Sequence, residues 1–285
     1  MNAHPHSVPL ACLAEASRFA HNLIQAARTL VPLFEAGQPI DATALRAAME
    51  EASGASDTSG AWVWKDAYEA AEVAQIHLLS RYGALMQRQS GSPQAFLTMI
   101  ERLTALAPSH TRRSEDSVRL QQFSTPLPLA AIVAQAAGLR VDDLVLEPSA
   151  GTGVLAIFAQ VAGTRLALNE LADNHVEGKF RQATSQHVLS ALARLSPGGR
   201  LVVITGESFR PSTKSFQSTF QRIAHSADVV FSAAIDGKVF ARHGTAIDTR
   251  LTVIDKRAAG VEETAPGDIE AAYHPICATT GDLLS

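Results

Sequence analysis

Three groups of residues in this 285-residue chain could do chemistry. The first is Glu147-Pro148-Ser149-Ala150-Gly151-Thr152-Gly153, whose two glycines permit positive φ and let backbone approach a ligand closely. The second is Asn169-Glu170. Its carboxylate stands about 20 residues beyond the loop, where an acid can hold both hydroxyls of a ribose. The third is Lys238-Val239-Phe240-Ala241-Arg242-His243, which offers an aromatic ring, a cation and an imidazole. Arg242 and His243 could touch phosphate, or simply be solvated. The first two groups suit a nucleotide-like ligand held by backbone N–H groups and a carboxylate. The loop is neither a full G-x-G-x-x-G fingerprint nor a P-loop, because it lacks the Lys-Ser/Thr pair. A nicotinamide dehydrogenase is disfavoured: Pro148-Ser149-Ala150 replaces its first glycine, and no hydride-transfer constellation follows.

The flanking residues must position these groups. Leu144–Leu146 is a short apolar run suited to a buried parallel strand. Val154–Val161 continues from the loop as an apolar helix, and Arg165–Leu168 reads as the next strand. Strand, glycine loop, helix and strand therefore follow in order. Further on, Val176–Leu195 reads as a helix. Pro197-Gly198-Gly199 is a turn before a strand at Arg200–Thr205, and Ser215–His225 is another helix. Val229–Ala234 and Ile247–Asp255 are β-branched runs expected to pair antiparallel, with the Phe240 group between them.

Upstream, the patterning is helical. Ala11–Leu33 and Ala42–Ala52 carry helical spacing, the second capped by Asp41 and stopped by Gly54. A long amphipathic helix is expected over about Trp62–Met86, and Ser92-Pro93 opens another over Gln94–Leu106. This gives an all-helical domain over 1–108, an α/β domain over 109–256, and a linker or tail over 257–285. The helical part reads as a support packed on the sheet or as a DNA-binding or partner-docking module, and no basic face stands out. His110, Arg112, Arg113 and Arg119 form the most basic stretch before the sheet, either a phosphate contact or a solvated linker.

Composition sets the class. Hydrophobic residues make up 46% and charged residues 18%, as in globular proteins. The net charge of −4 supplies no global basic field, so nucleic acid would need a local patch. Cys12 and Cys277 have no metal-ligand spacing, and no metal is expected. No apolar run approaches the roughly 20 residues of a membrane span, and no signal pattern opens the chain. A reducing, cytoplasmic setting without membrane contact is the expectation.

The string Glu147-Pro-Ser-Ala-Gly-Thr-Gly153 resembles motif I of class I S-adenosylmethionine-dependent methyltransferases, especially the N6-adenine DNA methyltransferases. Gln121-Gln122-Phe123-Ser124-Thr125-Pro126 resembles their motif X, which precedes motif I in that group. More narrowly, residues from about Trp62 to Lys256 resemble the methyltransferase-like region of bacterial strawberry-notch-type helicase proteins. The resemblance implies a Rossmann-like sheet behind the helical domain, S-adenosylmethionine as cofactor, and DNA adenine as substrate. Nucleic acid and a helicase are the implied partners. Phe123, Thr125 and Pro126 would lie near the methionine end of the cofactor. Pro148, Ser149, Ala150, Gly151, Thr152 and Gly153 would cradle it, with Glu147 anchoring its amino end. Asn169 and Glu170 would hold the ribose. Phe240 would stack on the target base. The turn Ser124–Pro126 is equally readable as the cap of a helix over Leu127–Leu139.

One implied element is missing. Adenine N6 methylation needs an Asn/Asp/Ser-Pro-Pro-aromatic motif whose side chain and prolyl carbonyl accept bonds from the exocyclic amine. The chain contains no Pro-Pro, so no catalytic residue can be named. In this fold's strand order, 3-2-1-4-5-7-6, strand 4 is central, yet His175–Ser196 has room for only one helix. Three outcomes are open. Strand 5 re-pairs with strand 1, or a strand-bearing segment belongs at Asn174–His175, or the deletion is real, giving a cofactor- or DNA-binding protein without catalysis.

Overall fold

The computed structural model describes residues 10–111, 124–169, 180–258 and 273–284. The chain divides into two compact units. One is Met1–Gly83 with Arg102–Gln122; the other is Ala84–Glu101 with Phe123–Ser285.

The first described helices are α1 (Leu10–Glu35), α2 (Ala42–Ser53), α3 (Trp64–Ser90) and α4 (Pro93–Leu106). Their ends follow the caps read from sequence. Asp41 Oδ1 accepts from Ala44 N at 2.8 Å, and Ser92 Oγ accepts from Ala95 N at 3.1 Å. Gly54 closes α2 at φ 72°, its N–H donating to Glu50 O. In the first unit α1 packs on α2, each burying residues at three- and four-residue steps: Ala27, Leu30 and Phe34 on one, Leu45, Ala48 and Met49 on the other. Gln75 of α3 donates to Leu103 O at 3.1 Å inside this unit.

The division crosses α3 and α4 instead of falling once near residue 108. Its physical reason lies in α4. Phe96 meets Phe158 edge-on, with ring centroids 6.2 Å apart and planes at 88°, and Glu101 accepts from Thr280 Oγ1 at 2.9 Å. The start of α4 thus belongs with the sheets.

The second unit is mixed α/β. Helix α5 (Leu127–Ala137) ends at Gly138, φ 61°. Strand β1 (Leu144–Glu147), helix α6 (Ala156–Val161) and strand β2 (Arg165–Leu168) follow, with β1 and β2 parallel and in register from Leu144↔Arg165 to Glu147↔Leu168. Helix α7 (Phe180–Arg194), β3 (Arg200–Gly206), α8 (Gln217–Ala224), β4 (Ala227–Ile235), β5 (Thr249–Lys256) and β6 (Tyr273–Cys277) complete it. The second sheet has the order β3-β5-β4-β6, with β5 antiparallel to both neighbours. Strand β5 is flanked on both sides and buries Leu251, Val253 and Ile254.

Helices α7 and α8 lie on this sheet through one cluster: Val188, Leu192, Phe209, Phe216, Phe220, Ile223 and Ile254. Basic side chains close both helices. Lys256 Nζ donates to Leu192 O at 3.0 Å and Leu195 O at 2.7 Å, at the end of α7. Arg257 donates to Ala224 O at 3.0 Å, at the end of α8, and clasps Asp228 with two bonds of 2.6 and 3.0 Å.

The sheet is therefore in two pieces. β2-β1 supplies neighbours 2-1 of the expected order, and β3-β5-β4 supplies neighbours 5-7-6. Among the described residues no strand fills positions 3 or 4, and no ladder joins β1 to β3. Of the three open outcomes, re-pairing of strand 5 with strand 1 is not observed among the described residues, and Asn174–His175 lies outside them. The stretch 257–285, read as a linker or tail, contains β6, which pairs parallel with β4 from Ser232↔Tyr273 to Ile235↔Cys277. The open edge of β4 provides the template, which local composition could not reveal.

Candidate functional site

The site grows from the carboxyl ends of two parallel strands, where ligands of open α/β sheets bind. Glu147 ends β1 and Asn169 follows β2. Their backbones are stitched together: Asn169 N donates to Glu147 O at 2.9 Å, and Ala150 N donates to Asn169 O at 3.0 Å. The glycine loop is thus fixed against the end of β2. Glu147 Oε1 accepts from Ser149 N at 2.9 Å, so the carboxylate also shapes the first turn of the loop. Gly153 N donates to Ala150 O at 2.8 Å, and Ile157 N to Gly153 O at 2.9 Å, which leads into α6.

Two glycines earn their place by conformation. Gly151 sits at φ 51° and Gly153 at φ 97°, regions that L side chains rarely adopt. Nothing lies within 4 Å of where a Cβ on Gly151 would stand, so that side of the loop is open to a ligand. The N–H groups of Ser149 and Gly153 hold the loop's own turns, and that of Ala150 ties the loop to Asn169. They are engaged internally, where the sequence suggested donors aimed outward. Pro148 and Ser149 are exposed, and Ala150 and Thr152 half-buried.

Of the remaining expected cofactor residues, Thr125 is half-buried and Pro126 buried at the entry to α5. Helix α5 opens on Pro126 without a side-chain cap, so the Ser-Thr cap read from sequence is not what starts it. Pro128 at the second helical position takes over, since its fixed φ suits a helix start. Phe123 and Glu170 lie outside the described residues, as do Arg112, Arg113 and Arg119.

The Phe240 group forms a 3₁₀ turn, Gly237–His243, between β4 and β5. Asp236 Oδ1 accepts from Lys238 N, and Asp248 Oδ1 from Gly237 N, each at 2.8 Å. Phe240 is 6% exposed, so its ring belongs to the interior in this form and does not offer a face for stacking. Arg242 is exposed. His243 is half-buried; burial, helped by the charge of Arg242, lowers its pKa from 6.5 to about 4. At neutral pH it can meet a phosphate as a neutral donor but not as a cation.

A polar cluster beside the end of β3 escaped the sequence reading. Arg250 is 3% exposed, yet it sits within β5. Its guanidinium donates to Glu207 O at 3.0 Å and Ser232 Oγ at 3.1 Å, and lies 3.5 Å from Glu207 Oε1. Ser232 and Thr252 share a hydroxyl contact of 3.2 Å, and Arg210 reaches Glu207 Oε1 at 3.3 Å. The cluster fixes Glu207 immediately after β3. The available signal was an arginine inside the β-branched run Thr249–Ile254, since a charge there must be paired.

No protein-family model matches this chain. No curated protein matches it. Among solved structures, it is similar to a Listeria monocytogenes protein assigned provisionally to the class I S-adenosylmethionine-dependent methyltransferases. The TM-score is 0.40 and the identity 10%, over 92% of this chain and 93% of that one. So slight a likeness carries no argument about activity.

Proposed function

We propose that this chain binds S-adenosylmethionine at the Glu147–Gly153 loop and serves N6-adenine methylation of DNA. The observation that carries the reading is the loop itself. A Glu-Pro-Ser-Ala-Gly-Thr-Gly string stands between parallel strands, with Glu147 and Asn169 at adjacent strand ends and open space beside Gly151. The residues fit the cofactor in kind. Glu147 is a carboxylate for its ammonium group, Asn169 and Glu170 are acceptors for ribose hydroxyls, and a positive-φ glycine admits close approach. Thr125, Pro126 and Phe123 would complete the methionine end. When bound, the cofactor supplies an electrophilic methyl group. The chain's own part is to bind and orient it. DNA and a helicase as partners rest on the resemblance of the sequence to the strawberry-notch-type proteins.

A second reading has its own support. The chain has no Pro-Pro, and no ladder joins β1 to β3 among the described residues. Both favour a module that keeps the cofactor fold as a scaffold and binds nucleic acid without catalysis.

Titration calorimetry with S-adenosylmethionine tests the cofactor site. Micromolar binding is expected in the wild type. Glu147→Gln keeps an acceptor for Ser149 N–H but removes the charge, and should weaken binding about tenfold, near 1.4 kcal/mol, with unchanged thermal stability. Gly151→Val should abolish binding. No heat in the wild type would overturn the proposal, whereas DNA binding indifferent to the cofactor would select the scaffold reading. Peptide mass mapping across Asn174–His175 separates the two further. A native peptide that runs unbroken from Asn174 to His175 fits a scaffold; one with further residues between them carries an interior segment that could bring the catalytic motif.

A further inference from the structure

We draw no further inference here: the strongest candidate, the apolar face of the two-stranded β1–β2 sheet where Leu144 and Leu146 are exposed, carries nothing because nothing in the structure shows what covers it.

Discussion

His243 carries a pH dependence whose sign follows from its surroundings. Its folded-state pKa, about 4, lies below the ordinary 6.5. The unfolded chain therefore takes up the proton first as pH falls. Stability is unaffected above about pH 6.5, declines between 6.5 and 4, and levels off below that. Partial exposure and solvent screening keep the effect to at most about 3 kcal/mol. Urea midpoints at pH 7 and pH 4.5 should differ less in His243→Gln than in the wild type. Equal differences in the two proteins would show that His243 contributes nothing. Gly237 makes a steric demand instead. A Cβ there would stand 2.2 Å from the carbonyl carbon and oxygen of Ala246, and 2.8 Å from Ile247 N. Backbone cannot give way as a side-chain tip can, so Gly237→Ala should cost about 1–3 kcal/mol and loosen the 3₁₀ turn. Denaturant unfolding reads this directly.

Elements in the second unit are held at their ends as well as by their faces. Lys256, the last residue of β5, sits on the last carbonyls of α7, and Arg257, the residue after it, on those of α8. A cation at a helix C-terminus meets unpaired carbonyls and the negative end of the helix dipole. Lys256→Met keeps the aliphatic stem while removing the donor, and should cost about 1–2 kcal/mol. Arg257→Ala should cost at least as much, because Asp228 also loses its bidentate partner. Thermal melts of the two variants would rank them. An unchanged melting temperature in both would mean that water replaces these bonds without loss. The faces matter more. Phe209 lies 4.8 Å from the ring of Phe220 and 5.1 Å from that of Phe216, all buried. Truncating it would open a cavity under α7 and α8, at a cost of about 3–5 kcal/mol.

Across the whole molecule, the two sheets differ in how well they are covered. Parallel strands usually occur with both faces buried. Strands β1 and β2 are only four residues long, and Leu144 is 66% exposed. Strand β5 is paired on both sides and buried through its centre. Local opening should therefore be easier at β1–β2. Native-state hydrogen exchange is expected to show amides of Val145–Glu147 exchanging orders of magnitude faster than those of Leu251–Ile254. Similar protection in both sheets would mean that the β1–β2 pair is covered in solution. The net charge of −4 means that any DNA contact depends on local cations such as Arg242. No described helix is long and apolar enough to cross a membrane.

Local signals determined much of this protein. The caps at Asp41 and Ser92, the stop at Gly54, the strand–loop–helix–strand around Gly151 and the antiparallel pairing of β4 with β5 were all legible, because each depends on residues close in sequence or on simple alternation. So was the need for glycine at 151 and 153, which positive φ confirms. Tertiary structure decided the rest. Which strand edges meet is a long-range choice, so the sequence could show that His175–Ser196 has room for only one helix but not which edges of β1 and β3 are paired. Phe240 reads as a ring free to stack until packing buries it, and Arg250 as an ordinary strand residue until Glu207 and Ser232 close around it. Strand β6 looked like a tail because its pairing partner, β4, lies some 40 residues earlier in the chain. Hydrophobic period and turn chemistry act over a few residues, whereas burial and edge pairing depend on what the folded chain brings alongside.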